Sequence, residues 1–137
     1  MTSAAGRRSP LAPSQGTGSR KRTRSTTNLR RGAVVLVPFD FTDRSGIKWR
    51  PAAVVSGKRY NTGPDVVIAS ITGNLAAVPH PGDKPIRDWK AAGLLRPSLI
   101  QAKLATVEGS ILGKRIGQLT AHDLAAFDQG LREALEL

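Results

Sequence analysis

Arg50 and Thr72 are the two residues of this 137-residue chain whose types and settings best suit chemistry on a phosphate. Arg50 precedes Pro51, and the residue before a proline is pushed towards extended geometry, which predicts that the arginine lies at the open end of a strand. Thr72 is the last residue of the apolar run Val66–Thr72. A guanidinium offers a planar fork of donors and a hydroxyl adds another, so the pair could hold a phosphate. Arginines at strand ends also form surface salt bridges, and both interpretations stay open on the residues alone.

The rest of the sequence offers little other chemistry. It has no cysteine, which excludes disulfides, thiolate metal sites and cysteine nucleophiles. It has no Walker loop, no G-x-G-x-x-G and no H-E-x-x-H motif. Its two histidines, His80 in a Pro-His-Pro-Gly loop and His122 near a helix start, are both interpreted as exposed to solvent. The sequence therefore predicts no metal site and no cofactor.

The positive charge is concentrated at the N-terminus. The chain has a formal net charge of +11, and residues 1–31 hold eight of its 21 basic residues and no acidic one. The other 13 basic residues face ten acidic ones, so residues 32–137 carry only +3. A segment so polar and self-repelling buries too little surface to offset its ordering entropy. We expect a disordered basic tail over 1–31, which either attracts nucleic acid or has no function, and one folded domain over 32–137. The Arg-rich, Ser-rich and acid-free composition also suits an organelle transit peptide, but the tail lacks a helical apolar face.

Short apolar runs predict a mainly β fold. Strands are expected at Ala33–Val37, at Pro51–Ser56, at Val66–Thr72, at Leu99–Val107 and within Ile111–Leu119. Residues 40–49 and 57–64 are predicted as polar or turn-rich connections, and residues 79–97, with four prolines, as irregular. No stretch approaches the roughly 18 apolar residues of a membrane span.

The C-terminal segment changes to a helical period. Thr120-Ala-His-Asp123 has the pattern of a capping box, and apolar residues then recur in one stripe at Leu124, Phe127, Leu131 and Leu135. These features predict an amphipathic helix that covers the sheet. The expected fold class is mainly β with a C-terminal helix, in the form of a small SH3-like barrel.

Several segments resemble the MazF/PemK family of toxin–antitoxin endoribonucleases. The opening strand reads RGAVVLVPF from Arg31, the next loop reads TDRSGIK from Thr42, and RPAAVVS follows from Arg50. The strand end Ala69-Ser70-Ile71-Thr72 is similar to the family's hydroxyl-bearing strand. Parts of residues 88–98 and 116–119 are similar to later segments of the family. The resemblance extends from residue 31 to about residue 135 and leaves out the tail.

The resemblance implies a metal-independent ribonuclease in the cytoplasm. It places the family's catalytic arginine on Arg50 and its catalytic threonine on Thr72. The substrate would be single-stranded RNA, whose own 2′-OH attacks the phosphorus to give 2′,3′-cyclic phosphate and 5′-OH ends. The implied partners are a second copy of the chain and a cognate antitoxin, with DNA contacted only indirectly through the antitoxin complex and no membrane contact.

Residues that could contact RNA lie chiefly in two connections. Their cationic, polar or aromatic side chains suit phosphates and unpaired bases, and Tyr60 in particular could stack on a base. The candidates are Asp43, Arg44, Ser45, Lys48, Trp49, Lys58, Arg59, Tyr60, Asn61 and Asn74.

Two alternatives of other classes stay open. The same fold resemblance includes CcdB-like gyrase poisons, which act by binding a protein and end in Trp-Gly-Ile, whereas residues 134–137 here read Ala-Leu-Glu-Leu. A nucleic-acid-binding SH3-like module without catalytic activity would satisfy the charge alone. Cleavage of RNA in the presence of EDTA distinguishes the ribonuclease from both.

Overall fold

A computed structural model describes residues 29–40, 46–76 and 79–137 of the chain. The predicted tail lies outside the described residues except for its last three. Of those, Leu29 is buried, and the Arg31 guanidinium donates to the Val55 carbonyl oxygen at 2.7 Å and forms an ion pair with Asp128. The hydrogen bond from Arg31 to Asp128 raises the pKa of the arginine. These contacts join the start of the domain to its C-terminal helix.

The described residues form six strands and two α-helices. In chain order they are β1 (Ala33–Asp40), β2 (Ile47–Val54), α1 (Lys58–Asn61), β3 (Asp65–Thr72), β4 (Lys84–Pro85), β5 (Leu99–Glu108), a 3-10 turn (Gly109–Ile111), β6 (Arg115–Gln118) and α2 (Ala121–Leu135). Among the described residues, no helix is long and apolar enough to cross a membrane.

The strands form one curled, antiparallel sheet in the order β4-β5-β3-β2-β1-β6. After β5 the chain turns back through the 3-10 turn to reach β1. There Gly113 N–H donates to the Leu36 carbonyl oxygen at 2.8 Å, and Leu36 N–H donates to the Lys114 carbonyl oxygen at 3.0 Å. The mainly β fold with a C-terminal helix is thereby confirmed.

Alternation along the strands separates two apolar clusters on opposite faces of the sheet. One, the helix-side core, packs against α2 and includes Val34, Ala53, Ala69, Ile71, Ile100, Phe127 and Leu131. The other, the far-side core, comprises Leu29, Ala33, Val35, Val37, Ala52, Val54, Val66 and Ile68. Both faces are therefore buried over the middle of the sheet, and the ends of the strands are left to carry polar side chains.

The predicted capping box starts α2. Thr120 is the N-cap, and its hydroxyl accepts from Asp123 N–H at 3.3 Å. The Asp123 carboxylate is buried and accepts backbone N–H groups from Arg87 and Asp88 at 2.9 and 2.8 Å, which ties residues 87–88 to the helix. Hydrogen bonds from Arg87 and Thr120 lower the pKa of the Asp88 carboxyl. Of the predicted stripe, Phe127 and Leu131 are buried, whereas Leu135 is about half exposed.

The early strands are longer than predicted. β1 continues past Pro38 to Asp40, β2 begins at Ile47, and residues 41–45 of the expected loop lie outside the described residues. The expected bounds of the loop over residues 40–49 and the expected strand start at Pro51 are therefore wrong. The reason is that the first half of β2 pairs with β1, whereas pairing with β3 begins at Ala52. Proline lacks only an N–H donor, and a strand with an unpaired side tolerates that loss.

Candidate functional site

Arg50 lies where β2 leaves the core. The strand is exposed from Ile47 to Arg50 and buried from Ala52 to Val54, so the arginine lies inside β2, just beyond its apolar part. The expectation that Arg50 lies at the open end of the strand is wrong, because β2 continues to Ile47 through its pairing with β1. It pairs in register with Val37 of β1. Alternation along both strands therefore places Arg50 on the far-side face, in line with Val37 and Ala52.

Phe39 gives the Arg50 side chain an aromatic neighbour. The ring lies two residues beyond Val37 on the same face of β1, and its centre is 5.8 Å from the Arg50 guanidinium carbon. Phe39 is 40% exposed, so a solvent-facing ring lies beside an exposed cation. This cation–π distance is within the range of favourable contacts and restricts where the guanidinium can lie.

Thr72 ends β3 and is half-buried. Its hydroxyl oxygen accepts the Asn74 backbone N–H at 3.1 Å, and its backbone pairs with Leu99 of β5. Because the oxygen is held as an acceptor by the turn, the hydroxyl proton remains able to donate to an anion. The turn thus orients the threonine hydroxyl as a donor.

The strand register brings Arg50 and Thr72 together. Ala52 and Ser70 form the final pair of β2 and β3 towards this end of the sheet. Two further residues along each antiparallel strand lead to Arg50 on one and Thr72 on the other, with both side chains on the far-side face. Continuing the register beyond the last β2–β3 pair therefore places the guanidinium-bearing and hydroxyl-bearing residues opposite each other on one face, an arrangement that suits phosphate binding.

Two more predicted residues lie at this end of the sheet. Lys48 is exposed and pairs with Phe39, which adds a second cation on the Arg50 face. Asn74 is exposed and follows Thr72 by two residues. Trp49 is 48% exposed on the opposite face, where its ring packs against Gly113; a Cβ on that glycine would lie 2.7 Å from the ring. The lysine and the asparagine thus share the end that holds Arg50, whereas the tryptophan faces away.

The cluster predicted around α1 lies elsewhere. Lys58, Arg59 and Tyr60 are exposed, but α1 follows the far end of β2, four residues beyond Arg50 along a strand that rises about 3.4 Å per residue. Asn61 is fully buried, and its amide donates to the carbonyl oxygens of Leu29 and Ser56, both at 3.1 Å. Asn61 therefore supports the fold, and the other three lie beyond the C-terminal end of β2, away from Arg50.

Asp43, Arg44 and Ser45 lie outside the described residues. His80 and His122 are exposed, and the His80 backbone N–H donates to Asp83 at 3.0 Å. In the described parts of the chain, no three histidine, aspartate or glutamate side chains cluster in a way that could hold a metal ion.

Sequence reasoning missed Phe39 as a site residue. In the sequence it falls between a predicted strand and a predicted loop, and the aromatic ring carries no charge or motif to single it out. The usable signal was its alternation with Val37, but the partner strand could be identified only from the register. A pair formed across strands is invisible until the pairing is known.

Comparison with known proteins identifies the family. Residues 30–135 match the family described as PemK-like, MazF-like toxin of type II toxin–antitoxin system. The match covers most of the chain and all of β1 to α2, and the chain belongs to this family. A search of curated proteins finds no match.

Solved structures agree on the fold. The Mycobacterium tuberculosis toxin MazF-mt6 superposes with a TM-score of 0.62 at 21% identity, over 77% of this chain and 97% of that one. An endoribonuclease in complex with its cognate antitoxin, from a mycobacterial species, gives 0.61 at 21% identity over 80% and 96%. The MazE–MazF structure (Form-II) from Deinococcus radiodurans gives 0.64 at 16% identity over 80% and 96%. At such low identity these structures show a shared fold and no more.

Proposed function

We propose that this chain is the toxin of a type II toxin–antitoxin system and acts as a metal-independent endoribonuclease on single-stranded RNA, so that it inhibits translation and growth. The observation that supports it most directly is the register of β2 and β3, which places Arg50 and Thr72 two residues beyond the last pair on each strand and on one face of the sheet. Membership of the toxin family and the naming of structural neighbours as endoribonucleases support the proposal.

The reaction uses a nucleophile that belongs to the substrate. The RNA 2′-oxygen forms a bond to the adjacent phosphorus, the bond from phosphorus to the 5′-oxygen breaks, and the products are a 2′,3′-cyclic phosphate and a 5′-OH. One proton leaves the 2′-OH and one reaches the 5′-oxygen, so the balance needs no co-reactant. The protein has to align the two oxygens with the phosphorus and stabilise the charge that builds on the non-bridging oxygens.

Arg50 and Thr72 are suited to that second task. The guanidinium donates two parallel N–H groups, which fit two phosphate oxygens, and it stays charged at any working pH. The Thr72 hydroxyl adds a donor whose direction is set by its bond from Asn74 N–H. Phe39 and Lys48 flank the arginine, so the RNA backbone would meet a cationic and aromatic surface beside the cleaved linkage.

The proposal also includes two protein partners. We place a cognate antitoxin and a second copy of the chain as its partners, in line with the neighbours solved as toxin–antitoxin complexes. DNA would be met only through the antitoxin. Of the RNA-contact candidates, Lys48 and Asn74 lie near Arg50 and Thr72. Trp49 on the opposite face, and Lys58, Arg59 and Tyr60 beyond the C-terminal end of β2, would contact RNA only away from the cleaved linkage. Asp43, Arg44 and Ser45 lie outside the described residues.

Cleavage of RNA without metal tests the proposal. Purified protein is incubated with total RNA in excess EDTA, and the new ends are sequenced. We expect cuts at a recurring sequence, with 5′ ends that a polynucleotide kinase can label without prior phosphatase treatment. Intact RNA would overturn the proposal in favour of a binding module or a CcdB-like poison, which inhibition of gyrase would identify. Cleavage that stops in EDTA and returns with magnesium would overturn the metal-independent mechanism.

A further inference from the structure

Arg96 lies over the backbone next to Thr72. A Cβ built on Gly73 would be 2.5 Å from Arg96 Nε, 3.1 Å from Cζ and 3.2 Å from Cδ, so the guanidinium end covers this glycine. Gly73 separates Thr72 from Asn74, whose N–H orients the Thr72 hydroxyl. A second arginine therefore lies against the residue that follows Thr72 at the end of β3, and neither the sequence motifs nor the family resemblance singled it out.

The chain before β5 holds Arg96 at this place. The Ser98 hydroxyl donates to the Arg96 carbonyl oxygen at 2.9 Å, and the Ser98 carbonyl oxygen accepts Ile86 N–H at 2.9 Å. Leu99, the next residue, pairs directly with Thr72. These hydrogen bonds fix the backbone on both sides of Pro97. The Cα of Arg96 is therefore held in place near the end of β3.

The charge of Arg96 is exposed to solvent. Arg96 is exposed, and among the described residues its guanidinium forms no ion pair with a carboxylate. Gly73 has no side chain, so the guanidinium can lie close to the backbone and still present its outer N–H groups. An arginine placed in this way can bind an anion without first giving up a protein partner.

Arg50 and Arg96 approach Thr72 from opposite sides. Arg50 belongs to β2, Arg96 precedes β5, and β3 with Thr72 lies between these strands. Neighbouring strands are about 4.8 Å apart, so β2 and the strand that Arg96 precedes are roughly 10 Å apart across the sheet, and Arg96 lies three residues before Leu99, which is level with Thr72. That separation suits two successive phosphates of one RNA strand better than two oxygens of a single phosphate.

We propose that Arg96 binds the RNA phosphate adjacent to the one held by Arg50 and Thr72. This rests on the proposed ribonuclease function and adds the second backbone contact that sets where the strand lies. Arg96 is a positioning residue: it contacts the phosphate equally before and during the reaction, so its contribution appears in substrate binding and leaves the chemical step unchanged.

The first test separates KM from kcat. Arg96→Gln should raise KM about tenfold or more, the scale of losing a hydrogen bond to a charged group, and should leave kcat within about twofold. Arg96→Lys should recover much of the affinity, because a point charge still attracts a phosphate. Arg132→Gln, on the exposed last turn of α2, is the matched control and should behave like the wild type. Unchanged KM in Arg96→Gln would overturn the proposal.

Gly73→Ala provides a test that leaves the arginine in the chain. The new Cβ would displace the flexible guanidinium end, so this variant should raise KM as Arg96→Gln does. In the double variant the second change should add nothing, because the first has already removed the interaction with phosphate. Gly63→Ala, where the Cβ would meet only ordinary contacts, controls for the loss of a glycine. Additive effects in the double variant would show that the two residues act independently and would contradict the proposal.

Binding to an uncleavable probe separates this proposal from the ribonuclease function. The probe is a single-stranded RNA oligonucleotide with the mapped cut sequence and a 2′-deoxy group at the attacking position. The salt slope is the dependence of the logarithm of the binding constant on the logarithm of the salt concentration. We expect Arg96→Gln to reduce its magnitude by about 0.7, because the variant neutralises one phosphate fewer than the wild type. A neutral methylphosphonate in the linkage next to the cut should weaken wild-type binding and leave Arg96→Gln unaffected. If the methylphosphonate changes the binding of the wild type and of Arg96→Gln by the same factor, Arg96 does not bind that RNA phosphate. If the wild type fails to cut any RNA, the same measurements on a 2′-deoxy oligonucleotide of mixed sequence decide the contact alone.

Discussion

The guanidinium carbon of Arg50 lies 5.8 Å from the centre of the Phe39 ring, across the pairing of β1 and β2. Phe39 and Val37 are neighbours on one face of β1, and Val37 is directly opposite Arg50. The Phe39 ring thus lies beside the Arg50 guanidinium and restricts the positions that the guanidinium can occupy. An exposed cation held in this way would lose less entropy on binding a phosphate, which would link this packing contact to the proposed cleavage.

Phe39→Leu should reduce the rate of RNA cleavage by about two- to fivefold. The substitution keeps an apolar side chain but removes the ring quadrupole, and an exposed cation–π contact contributes about 0.5–1 kcal/mol. Initial rates at several RNA concentrations, with the wild type alongside, measure the effect. Phe39→Tyr preserves the ring and serves as the control. Equal rates for the leucine and wild-type proteins would show that the ring does not position Arg50.

Arg50→Ala should lower the cleavage rate by roughly 10²-fold or more, the scale of removing one preorganised donor from a charged transition state. Arg50→Lys should recover little of the loss, because an ammonium cannot reproduce a bidentate fork. The readout is single-turnover cleavage, and circular dichroism checks that each variant is folded. A folded Arg50→Ala protein with full activity would remove this residue from the site.

Thr72→Val tests the hydroxyl separately from the shape of the side chain. Valine keeps the β-branch and the volume, so strand β3 should form as before. The Asn74 N–H loses its partner, but this bond is exposed and water can replace it. We expect single-turnover cleavage to slow about 10- to 100-fold, as for a lost hydrogen bond to a charged group, with an unchanged unfolding temperature. Thr72→Ser, which restores the donor, should recover most of the rate.

The sequence predicts the elements of this fold better than their edges. Val66–Thr72 and the capping box at Thr120 are recognisable because their signals are local: a β-branched run and a side chain that caps its own helix. The start of β2 is not, because residues 47–50 carry exposed side chains and form a strand only through pairing with β1. Tertiary pairing overrides local polarity there, and no window of sequence contains that information.

The residue types of the site are predictable from the sequence, and their arrangement is not. Arg50 and Thr72 lie 22 positions apart in the chain, and only the register of β2 with β3 makes them neighbours. The same limit applies to Tyr60, which the sequence offers as a residue that could stack on a base: it lies beyond the C-terminal end of β2, away from Arg50. Phe39 and Arg96 are identified only by contacts between segments that are distant in the chain, which alternation alone does not specify.

The basic tail should strengthen RNA binding without setting the cleavage sequence. Residues 1–28 hold six basic residues and no acidic one, and removing them spares Leu29 and Arg31, which pack on the domain. The truncated protein should bind the uncleavable RNA more weakly, with a salt slope reduced by about 0.7 for each phosphate that the tail neutralises. A full-length protein with those six residues changed to glutamine is the control for length. An unchanged salt slope would show that the tail does not contact RNA.

Gly130→Ala should destabilise the domain although alanine favours helices. Gly130 lies within α2, where glycine costs about 1 kcal/mol relative to alanine. A Cβ at this position would overlap the Gly82 carbonyl oxygen, and a Cβ at Gly82 would in turn lie 2.6 Å from the Gly130 carbonyl oxygen, so the two backbones cross in contact. Because backbone cannot rotate away as a side chain can, we expect overpacking of about 1–3 kcal/mol to exceed the propensity gain. Thermal unfolding should show a lower Tm than the wild type, whereas Gln129→Ala on the exposed neighbouring position should leave Tm unchanged or raise it. A Gly130→Ala protein that is more stable than the wild type would mean that α2 can move away from Gly82 without cost.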